Sequence, residues 1–228
     1  MIEQLIELLK LISLGLVLML PLANPLTSVT LLLSLGGNIP YKERERQVTI
    51  AAVYVVSIML VTYYGGNWIM QTFGISIPGL RIAGGLIVAF IGFKMLFPPS
   101  APPPKADQAV DHGSRSADVP NIAFVPLALP GTAGPGTIAM IISATSTIKA
   151  NAGGYTPWVL AVTPIIVFIL LGVLFWVCLR SAGRIVQIIG HSGVEAISRV
   201  MGFLLVCMAV QFVINGVLEL IAEYAGVM

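Results

Sequence analysis

A chain of 228 residues that is 57% apolar and only 10% charged cannot hide its apolar surface in a water-soluble core, because soluble domains carry roughly 25% charged residues. Its solvent is lipid. The formal net charge of +2, with no basic run interleaved with aromatic residues, gives no surface for nucleic acid.

The chain opens with "MIEQLIELLK". Glu3 and Glu7 stand where a signal peptide would be basic, and the apolar run that follows is too long for one. The segment reads as the wet first turns of a helix that then enters the bilayer. Crossing the hydrocarbon core takes about 20 apolar residues. The first uncharged run, 11–41, contains "LPLANPLTSV", in which Pro21 and Pro25 flank Asn24. The second run, 47–80, contains the turn signals "YYGGNW" and "GISIPG", which predict a helix over 48–64, a connection, and a new helix over 78–97. Arg81 and Lys94 sit near the ends of that third helix and are expected to snorkel to the interface.

A Pro-rich, charged stretch follows and reads as a water-exposed linker, which divides the chain into segments 1–97, 98–119 and 120–228. Three further uncharged runs, 119–148, 150–179 and 200–218, bring the number of spans to six. Cys178 and Cys207 read as small buried hydrophobes. His112 and His191 fall in connections, with no second metal ligand beside either.

The cations give a topology. Lys42, Arg44, Arg46, Lys94, Lys105, Arg115, Arg180, Arg184 and Arg199 fall on one side of a six-span chain; Lys10, Arg81 and Lys149 fall on the other. Nine against three places the odd-numbered connections in the cytoplasm and both termini outside.

The two halves resemble each other. "LPLANPLTSV" at 20–29 aligns with "LPGTAGPGTI" at 129–138, pairing Pro21 with Pro130, Pro25 with Pro135 and Thr27 with Thr137. "RIAGGLIV" at 81–88 aligns with "RVMGFLLV" at 199–206, pairing Arg81 with Arg199. The offsets, about 110 to 118 residues, are nearly constant. Each half has three spans, an odd number, so the second half is inverted relative to the first. This all-α plan of two inverted three-helix repeats is that of many secondary transporters.

Within it, spans one and four are interrupted at equivalent places. Proline removes a backbone donor and clashes with the carbonyl four residues back. Unwound backbone persists in a membrane only where protein or a watery cavity satisfies it. Half-helix ends present free N–H groups and carbonyls that together suit the carboxylate and ammonium of a zwitterion. Asn24, Thr27, Ser28, Thr132 and Thr137 add polar side chains at the same depth. A substrate site is therefore expected where the two breaks meet. A pair of purely structural kinks is the alternative; the matched positions and their polar side chains favour a site.

"PLANPLTSVTLLL", "FGISIPGLRIAGGLIVAFIGFKMLF", "NIAFVPLALPGTAGPGTIAMIIS" and "EAISRVMGFLLVCMAVQFVINGVLE" closely resemble the MarC family over nearly the whole chain outside the linker. The resemblance implies a six-helix inner-membrane protein of Gram-negative bacteria, akin to transporters of small neutral amino acids such as glycine and alanine. It puts the family's NP motif on Asn24 and Pro25 and its AGPG motif on Ala133, Gly134, Pro135 and Gly136. This chain departs from many relatives in having Thr27 where they have glycine and Thr30 where they have a second proline, which makes the first break bulkier.

The reading is a secondary transporter with a small-molecule substrate, lipid surroundings and no prosthetic group; its oligomeric state is not read from the residues. Proton-coupled carriers usually keep an acid or histidine within the bundle; here Glu195, Glu219 and Glu223 all lie towards span ends, so Na+ and H+ both stay open as coupling ions. A channel would need a continuous polar lining. Gln211 and Asn215 could contribute one, but read better as interhelical hydrogen-bond partners, as Gly85 and Ala89 read better as close-packing positions. An enzyme is not expected, since no base lies at a suggestive spacing from Ser143, Thr145 or Ser146. A non-transporting scaffold or regulator is the remaining alternative.

Overall fold

Hydrocarbon offers no partner for a peptide N–H or C=O, so a chain of this composition must cross it as helices. The computed structural model describes residues 2–35, 39–98, 121–129, 132–150 and 156–226, and these residues hold helices and no strand. In chain order they are α1 (Ile2–Ala23), α2 (Pro25–Leu35), α3 (Tyr41–Thr72), α4 (Ile77–Leu96), a short wide turn of π-helix (Ala123–Ala128), α5 (Pro135–Ala150), α6 (Pro157–Arg180) and α7 (Ala182–Ala225). Five stretches are long and apolar enough to span a bilayer, with α1 and α2 counted as one; the shorter apolar α5 is the sixth. The linker expected over 98–119 lies, but for Pro98, outside the described residues, as do His112, Lys105, Arg115 and Pro130.

Several elements differ from the sequence expectation. The second span does not end at Tyr64: α3 runs through "YYGGNW" to Thr72. A glycine costs about 1 kcal/mol in a helix, less than the several kcal/mol of an unpaired backbone group in lipid. α1 starts at Ile2, in keeping with the wet first turns expected there, but Pro21 lies inside it instead of breaking it. The last helix begins at Ala182, well before residue 200, and bends at Gly190, where φ is +76°. Cys207 is exposed and Cys178 only half-buried, so neither is a core residue. Gln211 donates to Asn215 on its own helix at 2.8 Å rather than across helices.

The bundle closes through pairs of helices. α4 packs most extensively on α7, and α3 packs on α6. Pro164, inside α6, lacks the N–H that would bond Leu160, and the Tyr63 hydroxyl of α3 donates to that carbonyl at 3.2 Å instead. At the end of the bundle where α3 begins, Arg180 pairs with Glu45 at 2.9 Å, and Gln47, 2% exposed, accepts the Ile122 N–H at 3.0 Å. At the opposite end, Glu7 of α1 accepts both the backbone N–H and the hydroxyl of Thr156, at 2.9 and 3.0 Å, fixing the start of α6.

The α4–α7 seam has a seven-residue period on both sides. Pro78, Gly85 and Gly92 run antiparallel to Gly216, Ala209 and Gly202. With no hydrophobic drive between helices in lipid, such small residues hold a pair together by letting the backbones approach closely. A Cβ built on Gly92 would lie 2.8 Å from the Gly202 carbonyl oxygen, so this seam admits no larger residue. Gly92→Leu is accordingly expected to destabilise the protein by about 1–3 kcal/mol. Gly65→Leu, where a Cβ meets nothing within 4 Å, should leave thermal unfolding in detergent nearly unchanged. Equal melting of the two variants would contradict this seam.

Candidate functional site

The two interrupted spans meet. In the first, the break is a single residue: Asn24 adopts φ +24°, outside helical space, while its N–H still bonds Leu20 O at 3.1 Å. Pro25 then opens α2 at the first helical position, where a missing N–H costs nothing and φ is already set. In the second span the break is wider. The π-helical turn ends at Ala128, Leu129 is extended, and Pro135 opens α5. The Thr132 and Ala133 N–H groups both return to the Ala128 carbonyl, at 3.4 and 3.0 Å, which curls this unwound stretch back on itself.

Each break thus ends in a helix N-terminus that begins with proline, α2 on one side and α5 on the other. The Ser28 hydroxyl of α2 and the Thr132 hydroxyl of the second break lie 3.2 Å apart, across 104 residues of sequence. Both are closed off from solvent, at 0% and 1% exposure. Thr137, in the first turn of α5, donates to the Thr132 carbonyl at 2.9 Å. Asn24 is buried, and its amide donates to the Met95 sulfur of α4 at 3.5 Å, a weak acceptor for a strong donor. The Thr27 hydroxyl is buried with no partner.

The predicted residues therefore fall into two groups. Ser28 and Thr132 meet across the junction and Thr137 bonds Thr132 beside it; Asn24, Thr27, Ala133 and Gly134 lie in the breaks or the first turn of α2, and Pro25 starts that helix. Pro135 is exposed. Gly136 faces α4, where a Cβ would come within 2.5 Å of Val88, so its lack of a side chain serves the approach of α5 to α4. The arms of the two breaks are also unequal: 22 residues of α1 precede the first, six of π-helix the second. A cavity of about 160 Å³ between α1, α3, α5 and α6 is walled by Met19, Tyr63, Ile141, Pro164 and Phe168, and no residue of either break lines it. Among the described residues, no group of three His, Cys, Asp or Glu side chains could hold a metal ion.

Sequence reasoning missed a second polar constellation. Arg81 does not snorkel outward: its side chain is 13% exposed and ion-paired with Glu219 of α7. Its Nε donates to Ser143 Oγ and its Nη2 to Thr147 Oγ1, each at 2.6 Å. The available signal was a serine and threonine four residues apart on a helix whose far end meets the start of α4. Arg199, its partner in the sequence alignment, only pairs with Glu195 one turn away on the surface.

Residues 9–221 match the family described as MarC family integral membrane protein. Proteins named inner membrane protein MarC from Salmonella typhimurium and Salmonella typhi are each 60% identical over 223 residues, covering 96% of this chain and 99% of theirs. A protein of the same name from Escherichia coli O1:K1 is 57% identical over 224 residues, with the same coverage. No solved structure matches the chain. The match spans both breaks and every helix that holds them, and the chain belongs to the MarC family of integral membrane proteins.

Proposed function

We propose that this chain is a secondary transporter of a small neutral solute, a neutral amino acid of the size of glycine or alanine, working by alternating access around the junction of its two breaks. The observation that carries the reading is the Thr27 hydroxyl, a buried polar atom without a partner in the first turn of α2. Leaving such a group unpaired costs about 1–3 kcal/mol, and structures that keep one tend to use it. A bound carboxylate at the N-termini of α2 and α5 would meet their partial positive charge. The amino group would meet carbonyls exposed by the unwound stretch, and the Asn24 amide would exchange its weak sulfur contact for an oxygen.

The two-repeat plan is part of the proposal. It is supported by proline at the first position of both α2 and α5. It is also supported by the way helices with equivalent places in the two halves face each other, α4 on α7 and α3 on α6. Rocking of one set against the other would open the junction to either side. The cation asymmetry supports outward-facing termini, and the names of the relatives support placement in a bacterial inner membrane. Nothing in this reading makes the chain an enzyme.

The test is uptake and counterflow of labelled glycine and alanine into proteoliposomes, under imposed Na+ and H+ gradients in turn. Saturable flux is expected from the wild type. Asn24→Ala and Thr132→Val should each lose about tenfold in kcat/KM, the equivalent of one buried hydrogen bond. Flux that never saturates, or none under any gradient, would overturn the carrier. Thr27→Val separates stability from activity. Removing the orphaned hydroxyl should stabilise the folded protein by about 1 kcal/mol while raising KM for the amino acid; a loss of stability would show that the hydroxyl is already satisfied.

A further inference from the structure

Away from the junction, at the end of the bundle where α3, α5 and α7 finish and α4 begins, lies a polar vestibule. One cavity of about 550 Å³ is lined by Arg81, Ser143, Ser146, Thr147, Asn215 and Glu219. A second, of about 700 Å³, adds Asn67, Gln71 and Glu223 and shares Ser146, Ile77 and Glu219 with the first. Both volumes fall in the range of small-molecule sites, roughly 300–1,000 Å³. The opposite end also sets charged groups, Arg44, Glu45 and Arg180, around a cavity, but that one is about 130 Å³, below this range; between the ends the bundle presents large apolar side chains outward.

The guanidinium of Arg81 is held from three directions, by Ser143 and Thr147 of α5 and by Glu219 of α7. Three of its five N–H donors are thereby used, and two on its terminal nitrogens remain. Glu219 contributes one oxygen to the pair, is 41% exposed and lines both cavities. A purely structural strut would sit in packed side chains; this pair forms the wall of a cavity. Its two charges, side by side and of opposite sign, are the complement of a zwitterion whose carboxylate and ammonium are one carbon apart.

We propose that Arg81 and Glu219 form a docking site for the head group of an α-amino acid, with the carboxylate on the Arg81 guanidinium and the ammonium on Glu219. This rests on the amino-acid carrier reading and adds to it a second site, at the mouth rather than at the junction. A carboxylate on Arg81 competes with the Ser143 and Thr147 hydroxyls, and those belong to α5, the helix whose N-terminus forms the junction. Side-chain specificity is not imposed here: Ser146, Asn67 and Asn215 line a space wide enough for small and medium substituents. Recognition is of the charge pair that all α-amino acids share.

The experiment places a reporter thiol in the vestibule. Asn215→Cys is made with Cys178 and Cys207 replaced by alanine, and its labelling by a membrane-impermeant maleimide is timed in reconstituted protein. Glycine and L-alanine at ten times their half-protecting concentration should slow labelling about tenfold. Methylamine and acetate, each carrying half of the head group, should give no such protection. Arg81→Lys, which loses the planar fork, and Glu219→Gln should each raise the half-protecting glycine concentration about tenfold, in variants first shown to be monodisperse. Should either variant fail to fold, the contrast between glycine and its two half-molecules in the otherwise intact cluster decides the matter alone. Labelling indifferent to glycine, or slowed equally by methylamine or acetate, overturns the docking site. Saturable glycine flux together with indifferent labelling would overturn the docking site and leave the carrier standing; protection without flux would uphold the site and count against the carrier.

Discussion

A helix interrupted inside hydrocarbon strands backbone N–H and C=O groups that lipid cannot satisfy, each at a cost of several kcal/mol. This protein interrupts two. Its architecture follows from the need to close each interruption against protein. The wider break bends back so that two of its N–H groups share the Ala128 carbonyl, and the narrower one confines the departure from helical geometry to Asn24. The contact of Ser28 with Thr132 then seals one against the other. Among the described residues, the buried side-chain polar atom left without a partner is the Thr27 hydroxyl, one residue from Ser28.

The rest of the bundle makes such a seal tolerable. α4 and α7 form a close-packed seam whose small residues repeat every seven positions, and α4 also carries Val88 and Met95 to the junction. The tyrosine bond to Leu160 uses the same logic on a smaller scale, with a side chain replacing the donor that Pro164 lacks. Charged groups are kept to the two ends: Glu45 with Arg180 at one, Arg81 with Glu219 at the other. A cavity lies beside the ion pair at each of these ends, about 130 Å³ at the first and about 550 and 700 Å³ at the second.

Much of this was legible in the residues. Composition dictated membrane helices, and the prolines beside Asn24 and in "PGTAGP" marked the two breaks. What could not be read depended on neighbours distant in sequence. Gly65 and Gly66 carry a turn signal in water, yet lipid keeps α3 wound through them, because the solvent rather than the residue sets the cost of leaving the helix. Pro21 and Pro25 look alike as breakers, but only the second stands at a helix start. Arg81 has the length to reach an interface; that it turns inward is decided by Ser143, Thr147 and Glu219, which lie 62 to 138 residues away. Gln211 and Asn215 are one turn apart, a spacing that fits bonding within a helix as well as between helices. Gly136 belonged to a motif expected at the site, and the Val88 side chain opposite it gives it a packing role.

The central claim is that the two breaks lie against each other and part around cargo. It is tested most directly by oxidative cross-linking of a Ser28→Cys, Thr132→Cys pair in native membranes, with the two natural cysteines removed. A Gly15→Cys, Val167→Cys pair, placed where a Cβ on Gly15 would lie 3.8 Å from that of Val167, a separation that suits a disulfide, serves as a reference. The account predicts that the central pair cross-links as readily as the reference, and that saturating glycine suppresses the central cross-link alone. A reference pair that closes while the central pair stays open, with or without glycine, would contradict it.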